Sequence, residues 1–205
     1  MKFRDFQHFG KKLHIFNLNG IRKIDPNFHR QQLGYWLKSG YVKSFANGYY
    51  LLSDAELNEN SLFMLANRIY EPSYISLESA LAYYSIIPES VLGLLSVSSR
   101  KTQQFESDWG RLIYRSIKPS LLVGYRVIEY EKGAKFKIAS LEKAVLDYLY
   151  FNNWINSADS FTELRWNKQE IIGVIDSSLF SMYLRSFQNS ALEQRVNFLW
   201  EYIHA

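Results

Sequence analysis

The sequence contains no cysteine, which removes thiolate chemistry, disulfide bonds and zinc-finger sites in one step. It also contains no apolar run near the roughly 20 residues that a membrane helix needs. Residues 1–12 carry charges throughout and lack the apolar middle of a signal peptide. We therefore expect a cytoplasmic protein that does not enter a membrane.

The composition is ordinary for a globular protein, but the charge is unevenly distributed. Of 205 residues, 47% are hydrophobic and 21% are charged, and the aromatic share of 17% is high. Residues 1–50 hold nine Lys and Arg against two Asp, a net charge of +7, whereas the other residues sum to −3. A basic segment joined to a neutral one is typical of nucleic-acid-binding proteins, although a basic solvated surface would give the same pattern.

A helix followed at once by a β-hairpin is predicted over Asn27–Leu52. Apolar residues at helical spacing form one stripe, namely Phe28, Leu33, Trp36 and Leu37. The opposite face carries side chains that can reach base edges and phosphates, namely Arg30, Gln31, Tyr35 and Lys38. Gly40 suits a left-handed C-cap, and Asn47-Gly48 is a strong hairpin signal. This arrangement is typical of the helix and wing of a winged-helix DNA reader, and an ordinary helix packed on an ordinary hairpin is the alternative.

The preceding residues agree with a winged helix. Phe3, Phe6 and Phe9 indicate an amphipathic first helix, and Leu13–Phe16 could form a short strand. Asn17 or Asn19 is a suitable N-cap for a short second helix, which Asp25-Pro26 would end. Helix, strand, helix, turn, long helix and hairpin is the order that a winged helix requires.

We predict two domains, a winged helix-turn-helix at 1–54 and an α+β domain at 55–205. Ser53 and Glu56 match a capping box and predict a helix that begins there. Ser76 is the expected N-cap of a helix that stops near Pro88.

The second domain is predicted to combine helices with a mostly antiparallel sheet. Strand-type alternation begins at Leu92 and continues to Ile138, with a hairpin turn at Glu131-Lys132-Gly133. Ser140 then caps another helix, and short helices follow from residue 157. The overall fold class is therefore α+β.

Catalysis has no support in the sequence. Ser140 and Lys143 have the S-x-x-K spacing of penicillin-recognising enzymes, but the companion motifs are absent and a helix N-cap explains Ser140. Glu78, Glu142 and Asp147 are expected to be solvated or salt-bridged rather than a catalytic pair. The four His lack metal-ligand spacing, and no phosphate-binding glycine loop is present. We predict a protein that is not an enzyme and needs no cofactor or metal.

Three segments resemble the family of AbiEi-type abortive-infection antitoxins. RQQLGYWLKSGYVKSFANGYYLL (30–52) looks like its winged helix, and SYISLESALAYYSIIPE (73–89) and IASLEKAVLDYLY (138–150) are similar to its two internal signatures. FESDWGRLIYRSIKPSLLVGY (105–125) fits as well. The resemblance implies a transcriptional autorepressor that binds operator DNA and acts as the antitoxin of a type IV toxin–antitoxin module in phage defence. Its partner would be a nucleotidyltransferase-like toxin that need not form a stable complex with it.

The site residues follow from the recognition-helix hypothesis. Arg30, Gln31 and Tyr35 are predicted to face the major groove. Phosphate contacts are assigned to Arg22, Lys23, Lys38 and Lys43, with Asn47 as the polar donor at the wing tip.

Toxin neutralisation is expected to depend on the second domain. Exposed groups on the two signature helices are candidates for toxin contact, but their apolar residues at helical spacing indicate core. A protein-interaction adaptor whose winged helix has lost DNA binding is the alternative function. An enzyme of nucleic-acid metabolism is a third, and the missing acidic metal cluster argues against it.

Overall fold

The computed structural model describes residues 1–88, 93–131 and 133–205. The predicted features at Glu89, Leu92 and Lys132 lie outside these ranges. Within them the chain forms α+β structure, as predicted. No helix in the same ranges is both long enough and apolar enough to cross a membrane.

The first 52 residues form helices around a small sheet. The elements are α1 (Phe3–Leu13), β1 (Phe16–Asn17), α2 (Leu18–Ile24), α3 (Arg30–Lys38), β2 (Val42–Ser44) and β3 (Tyr49–Leu52). The strands pair antiparallel in the order β1-β3-β2. The Asn17 side chain accepts a hydrogen bond of 2.8 Å from the Gly20 amide and so caps α2, as predicted.

Aromatic side chains form the core of this N-terminal part. Trp36 of α3 packs against Phe6 and Phe28, with ring centroids 5.1 and 4.9 Å away, and Phe6 also meets Phe16 at 4.7 Å. All four side chains are almost completely buried. The predicted apolar stripe of α3 is therefore the face that anchors it to α1 and the small sheet.

A larger part of the chain follows, with a six-stranded sheet between helices. Its elements are α4 (Glu59–Ile69), β4 (Ser73–Ile75), α5 (Leu77–Tyr83), β5 (Gly93–Ser98), β6 (Gln103–Ser107), β7 (Gly110–Ser116), β8 (Tyr125–Glu131), β9 (Ala134–Ala139), α6 (Leu141–Phe151), α7 (Lys168–Ile175), α8 (Ser178–Phe187) and α9 (Ser190–His204). Short 3-10 turns lie at Pro119–Leu121 and Ala158–Phe161.

The sheet has the order β6-β7-β5-β4-β9-β8 and mixed direction. Pairs β4–β5, β6–β7 and β8–β9 are antiparallel, whereas β4–β9 and β5–β7 are parallel. Three of these five strand pairs are antiparallel, so the sheet is mostly antiparallel, as predicted, but only by one pair. In both parallel pairs a crossover separates the two strands in the sequence: it contains β6 between β5 and β7, and α5 together with several strands between β4 and β9.

Strand register shows which helix covers each face of the sheet. Tyr114 shares a face with Ser96 and Ile75, and its hydroxyl donates to the Ala66 carbonyl of α4 at 2.8 Å. Tyr74, on the opposite face, donates to Asp147 of α6 at 2.9 Å. The sheet is therefore the middle layer between α4 and α6, and the larger core lies on both of its faces.

Two predicted helix boundaries are wrong. Helix α4 begins at Glu59 and is capped by Asn58, not by Ser53 as predicted. Ser53 belongs to the hairpin instead, because its amide donates to the Tyr41 carbonyl. Helix α5 ends at Tyr83, well before Pro88. Ser85 there takes φ +58°, and the Ile86 amide donates back to the Leu81 carbonyl at 2.8 Å. This C-cap is normally marked by glycine, so the sequence did not reveal it.

Candidate nucleic-acid interface

Helix α3 presents a polar face directly opposite its buried face. At about 100° per residue, Gln31, Tyr35 and Lys38 project within about 60° of one another, and their mean direction is roughly opposite to that of Leu33 and Trp36. All three polar side chains are exposed, Tyr35 to 63%. No hydrogen bond or ion pair to another residue in the described ranges occupies these side chains, so this face is free for a ligand.

Arg30 lies at the start of α3, on the flank of this face rather than at its centre. The preceding backbone is held in place: the Arg22 Nε donates to the Phe28 carbonyl at 3.2 Å, and the His29 amide donates to Gln32 Oε1 at 3.2 Å. Arg22 therefore has a structural contact in addition to its proposed phosphate contact. Both Arg22 and Arg30 are exposed to solvent.

The basic residues of the first 50 positions are nearly all unpaired. Lys23 on α2 and Lys43 on β2 are exposed, as are the other predicted phosphate contacts. In the part of the chain that the structure describes, Lys11 is the one basic side chain of this segment within 4.0 Å of a carboxylate, at 3.9 Å from Asp54. The positive charge of this part is therefore available to an anionic partner.

The tip of the β2–β3 hairpin is docked on the larger part of the chain. Phe45 is buried with its ring 5.2 Å from that of Trp109, and the Asn47 side-chain amide donates to the Ile69 carbonyl at 3.3 Å. Arg68 makes a second link, from its Nη1 to the Leu13 carbonyl at 2.9 Å. Of the eight predicted site residues, Asn47 is thus set apart from the α3 face and engaged within the protein.

The sequence predicted no functional role for the aromatic residues beside α3. Phe3 and Tyr41 stack at 4.5 Å, and together with Lys2 they border a shallow groove of about 540 Å³ that Gln31 and Tyr35 also line. Exposed aromatic and basic side chains next to a recognition face can add contacts to a duplex. The sequence places Tyr41 directly after Gly40, at the start of the hairpin. Only the fold brings Tyr41 beside Phe3.

The S-x-x-K pair is part of a buried polar network. The Ser140 side chain accepts from the Lys143 amide at 3.4 Å and caps α6, as the capping interpretation predicted. The Lys143 ammonium bonds to Asp147 and, at 2.9 Å, to the Tyr74 hydroxyl. Asp147 also accepts from Ser76 at 2.8 Å. Burial and the Asp147 carboxylate hold the pKa of the Tyr74 phenol well above its usual range.

The position of Ser76 at the start of α5 is as predicted, but its side chain does not cap the helix. Its hydroxyl donates to Asp147 of α6 instead. Most of the two signature helices is buried, including Leu77, Ala80 and the stretch from Lys143 to Leu149. Only their half-buried and exposed residues, such as Glu78, Tyr83 and Glu142, can contact another molecule.

No model of a known protein family matches this chain, and a search of the curated proteins finds no match either.

Proposed function

We propose that this protein binds double-stranded DNA through the exposed face of α3, as a winged-helix reader. The observation that carries the proposal is the unoccupied polar face of Gln31, Tyr35 and Lys38, opposite a helix face locked in an aromatic core. A recognition helix reads base edges with polar side chains that are free to bond, and it must be held rigidly to place them in the groove. Arg30 extends this face toward the helix N-terminus.

Phosphate contacts in this proposal come from Arg22, Lys23, Lys38 and Lys43. Basic side chains that approach phosphates release condensed counterions, so binding becomes strongly salt-dependent. The net charge of +7 on residues 1–50 supports this role. Asn47 is left out of the DNA-contacting set, because its amide is bonded to Ile69.

The resemblance to the AbiEi-type antitoxins extends the proposal to the biological role. On that basis the chain is a transcriptional autorepressor and the antitoxin of a module whose toxin is nucleotidyltransferase-like. The part after residue 55 would then carry toxin neutralisation. The partly exposed residues of α5 and α6, such as Glu78, Tyr83 and Glu142, are the groups there that a toxin or its substrate could reach.

Fluorescence anisotropy tests the proposal, with labelled DNA from upstream of the protein's own gene and a scrambled duplex across a salt series. Gln31→Ala is expected to weaken binding to the specific duplex by about 1–3 kcal/mol and to leave the scrambled duplex nearly unaffected. Lys38→Gln is expected to weaken both duplexes similarly and to reduce the salt slope by about one.

Lys101→Gln serves as the matched control, since it removes one exposed charge from the larger part of the chain. It is expected to change neither affinity nor salt slope. Equal losses for Lys38→Gln and Lys101→Gln would show general electrostatic attraction. No preference for the specific duplex at any salt concentration would refute the reading role of α3.

The docked hairpin tip favours a second candidate, a protein-interaction adaptor that does not bind DNA. A wing usually contacts DNA with its tip, but here Phe45 and Asn47 are engaged with Trp109 and Ile69. In an adaptor, the α3 face would bind a protein instead. The salt series separates the two candidates, because an adaptor has no salt-dependent affinity for DNA.

A further inference from the structure

A small pocket at the C-terminal end of α6 contains two arginines. It has a volume of about 270 Å³ and is lined by Arg115, Tyr150, Phe151, Asn153, Asn189 and Arg195. Arg115 comes from β7, whereas Asn189 and Arg195 come from the start of α9 and its second turn. Three elements that are distant in the sequence thus bring two positive charges to one cavity, on the face of the sheet that α6 covers.

Arg195 is a buried cation whose hydrogen-bond partners within the described ranges are all neutral. It is only 8% exposed, and its Nη1 donates to the carbonyls of Leu149 and Tyr150, while Nη2 donates to Asn153 Oδ1 at 2.9 Å. Burial lowers the pKa of this guanidinium. The C-terminus of α6 compensates only about half a unit charge. The Nε–H and one Nη2–H have no acceptor among the described residues.

Arg115 adds a second charge without a bonded carboxylate. Its guanidinium lies 5.0 Å from the centroid of the Phe151 ring, and it forms no ion pair with any residue in the three described ranges. Burial raises the pKa of the Glu78 carboxyl, and the Arg115 charge partly offsets that rise. Glu78 does not line the pocket. Two guanidinium groups, one buried in Arg195 and one half-buried in Arg115, therefore face one cavity whose lining includes no carboxylate. A buried cation such as Arg195 is usually paired with an anion.

We propose that this pocket binds a phosphate group, either as inorganic phosphate or as a phosphomonoester. Arginine forks match phosphate oxygens with paired, charge-assisted hydrogen bonds, and Arg195 retains two unused donors for this purpose. The side chain of Asn189 also lines the pocket. The cavity is smaller than the roughly 300 Å³ at which pockets for drug-sized ligands begin, so it suits a small anion. The proposal does not depend on DNA binding by α3.

Isothermal titration calorimetry of the full chain with inorganic phosphate, at constant ionic strength, tests this site. Arg115→Gln removes one of the two guanidinium groups that line the pocket. Asn189→Asp introduces a negative charge beside the anion while preserving the N-cap of α9, because Asp caps as well as Asn. Arg111→Gln is the control, since it removes a charge from the same strand, where Arg111 pairs with Glu106 outside the pocket.

The wild type is expected to bind one phosphate per chain saturably. Loss of one charge-assisted hydrogen bond is expected to weaken binding at least about tenfold for Arg115→Gln. Repulsion between the new carboxylate and the anion is expected to weaken binding by at least as much for Asn189→Asp. Arg111→Gln should stay within about twofold of the wild type, since a distant surface charge is largely screened. A nucleoside 5′-monophosphate that binds more tightly than inorganic phosphate would identify a phosphomonoester as the ligand, and equal or weaker binding would identify free phosphate.

Two results would overturn the proposal. One is the absence of saturable phosphate binding by the wild type. The other is an equal loss of affinity in Arg111→Gln and Arg115→Gln, which would indicate a diffuse electrostatic effect. Circular dichroism melts of each variant show whether it is folded, and Asn189→Asp keeps the test decisive if Arg115→Gln destabilises the sheet.

Discussion

The buried pair of Lys143 and Asp147 gives the sharpest test of the energetics of this fold. Their side chains are 1% and 0% exposed, and the network also includes Tyr74 and Ser76. Removing one member of a buried ion pair leaves an uncompensated charge, at a typical cost of about 3–5 kcal/mol. We therefore expect Lys143→Met and Asp147→Asn each to lower the free energy of unfolding by about that amount.

The double variant Lys143→Met, Asp147→Asn removes both charges while nearly conserving volume. Its Asn side-chain oxygen can still accept from Tyr74 and Ser76, so no buried charge remains and few hydrogen bonds are lost. We expect the double variant to be no less stable than either single variant. Because each single variant is expected to cost about 3–5 kcal/mol, this corresponds to a coupling energy of at least about 3 kcal/mol, at the upper end of measured couplings.

Urea denaturation of the full chain, followed by circular dichroism and tryptophan fluorescence, measures these differences. Coincidence of the two transitions establishes that a single free energy describes unfolding. Lys135→Met is the control, because Lys135 and Glu129 form an exposed pair at 2.9 Å whose loss should leave the urea midpoint unchanged. Additive single effects, or single effects below about 1 kcal/mol, would refute the reasoning, since exposed pairs behave in that way.

The same urea assay measures the effect of three single substitutions elsewhere in the fold. Asn58→Ala should lower stability by about 0.5–2 kcal/mol through loss of the α4 cap, whereas Ser53→Ala, at the position that the sequence favoured, should change it much less. Phe45→Ala should cost about 3–5 kcal/mol, because a buried aromatic side chain at the docked hairpin tip is lost. Glu78→Gln should raise the urea midpoint at pH 7–8, because burial raises the pKa of Glu78 and its ionisation there favours the unfolded state. That advantage should shrink as the pH falls and disappear below the ordinary value of 4.5; a constant difference across pH would contradict it.

The helix and hairpin that present the candidate DNA interface were predictable because their signals are local. Gly40, with φ +69°, ends α3 where glycine is favoured, and Asn47 and Gly48 take the positive φ angles that the hairpin turn needs. The buried Leu33 and Trp36 follow from helical periodicity alone. Neighbouring residues in the sequence supply everything that these predictions require.

The two misplaced helix boundaries show where local signals fail. Ser53 and Asn58 are both good N-caps, and the choice between them depends on a hydrogen bond from Ser53 to Tyr41, which belongs to the hairpin. Likewise, Ser76 has the position of an N-cap, but its hydroxyl donates to Asp147, 71 residues further along the chain. A distant partner with a stronger need for the hydrogen bond overrides the local preference.

By itself, therefore, the sequence determined the α+β class, the buried and exposed faces of α3, the hairpin and the concentration of basic residues near the N-terminus. These properties depend on periodicity, turn chemistry and charge, which are read within a few residues. The tertiary structure alone decided that the hairpin tip is docked against Trp109, that Lys143 is buried with Asp147, and that Arg115 and Arg195 share a pocket. Each of these depends on contacts between residues far apart in the chain, whose geometry is fixed only when strands and helices pack together.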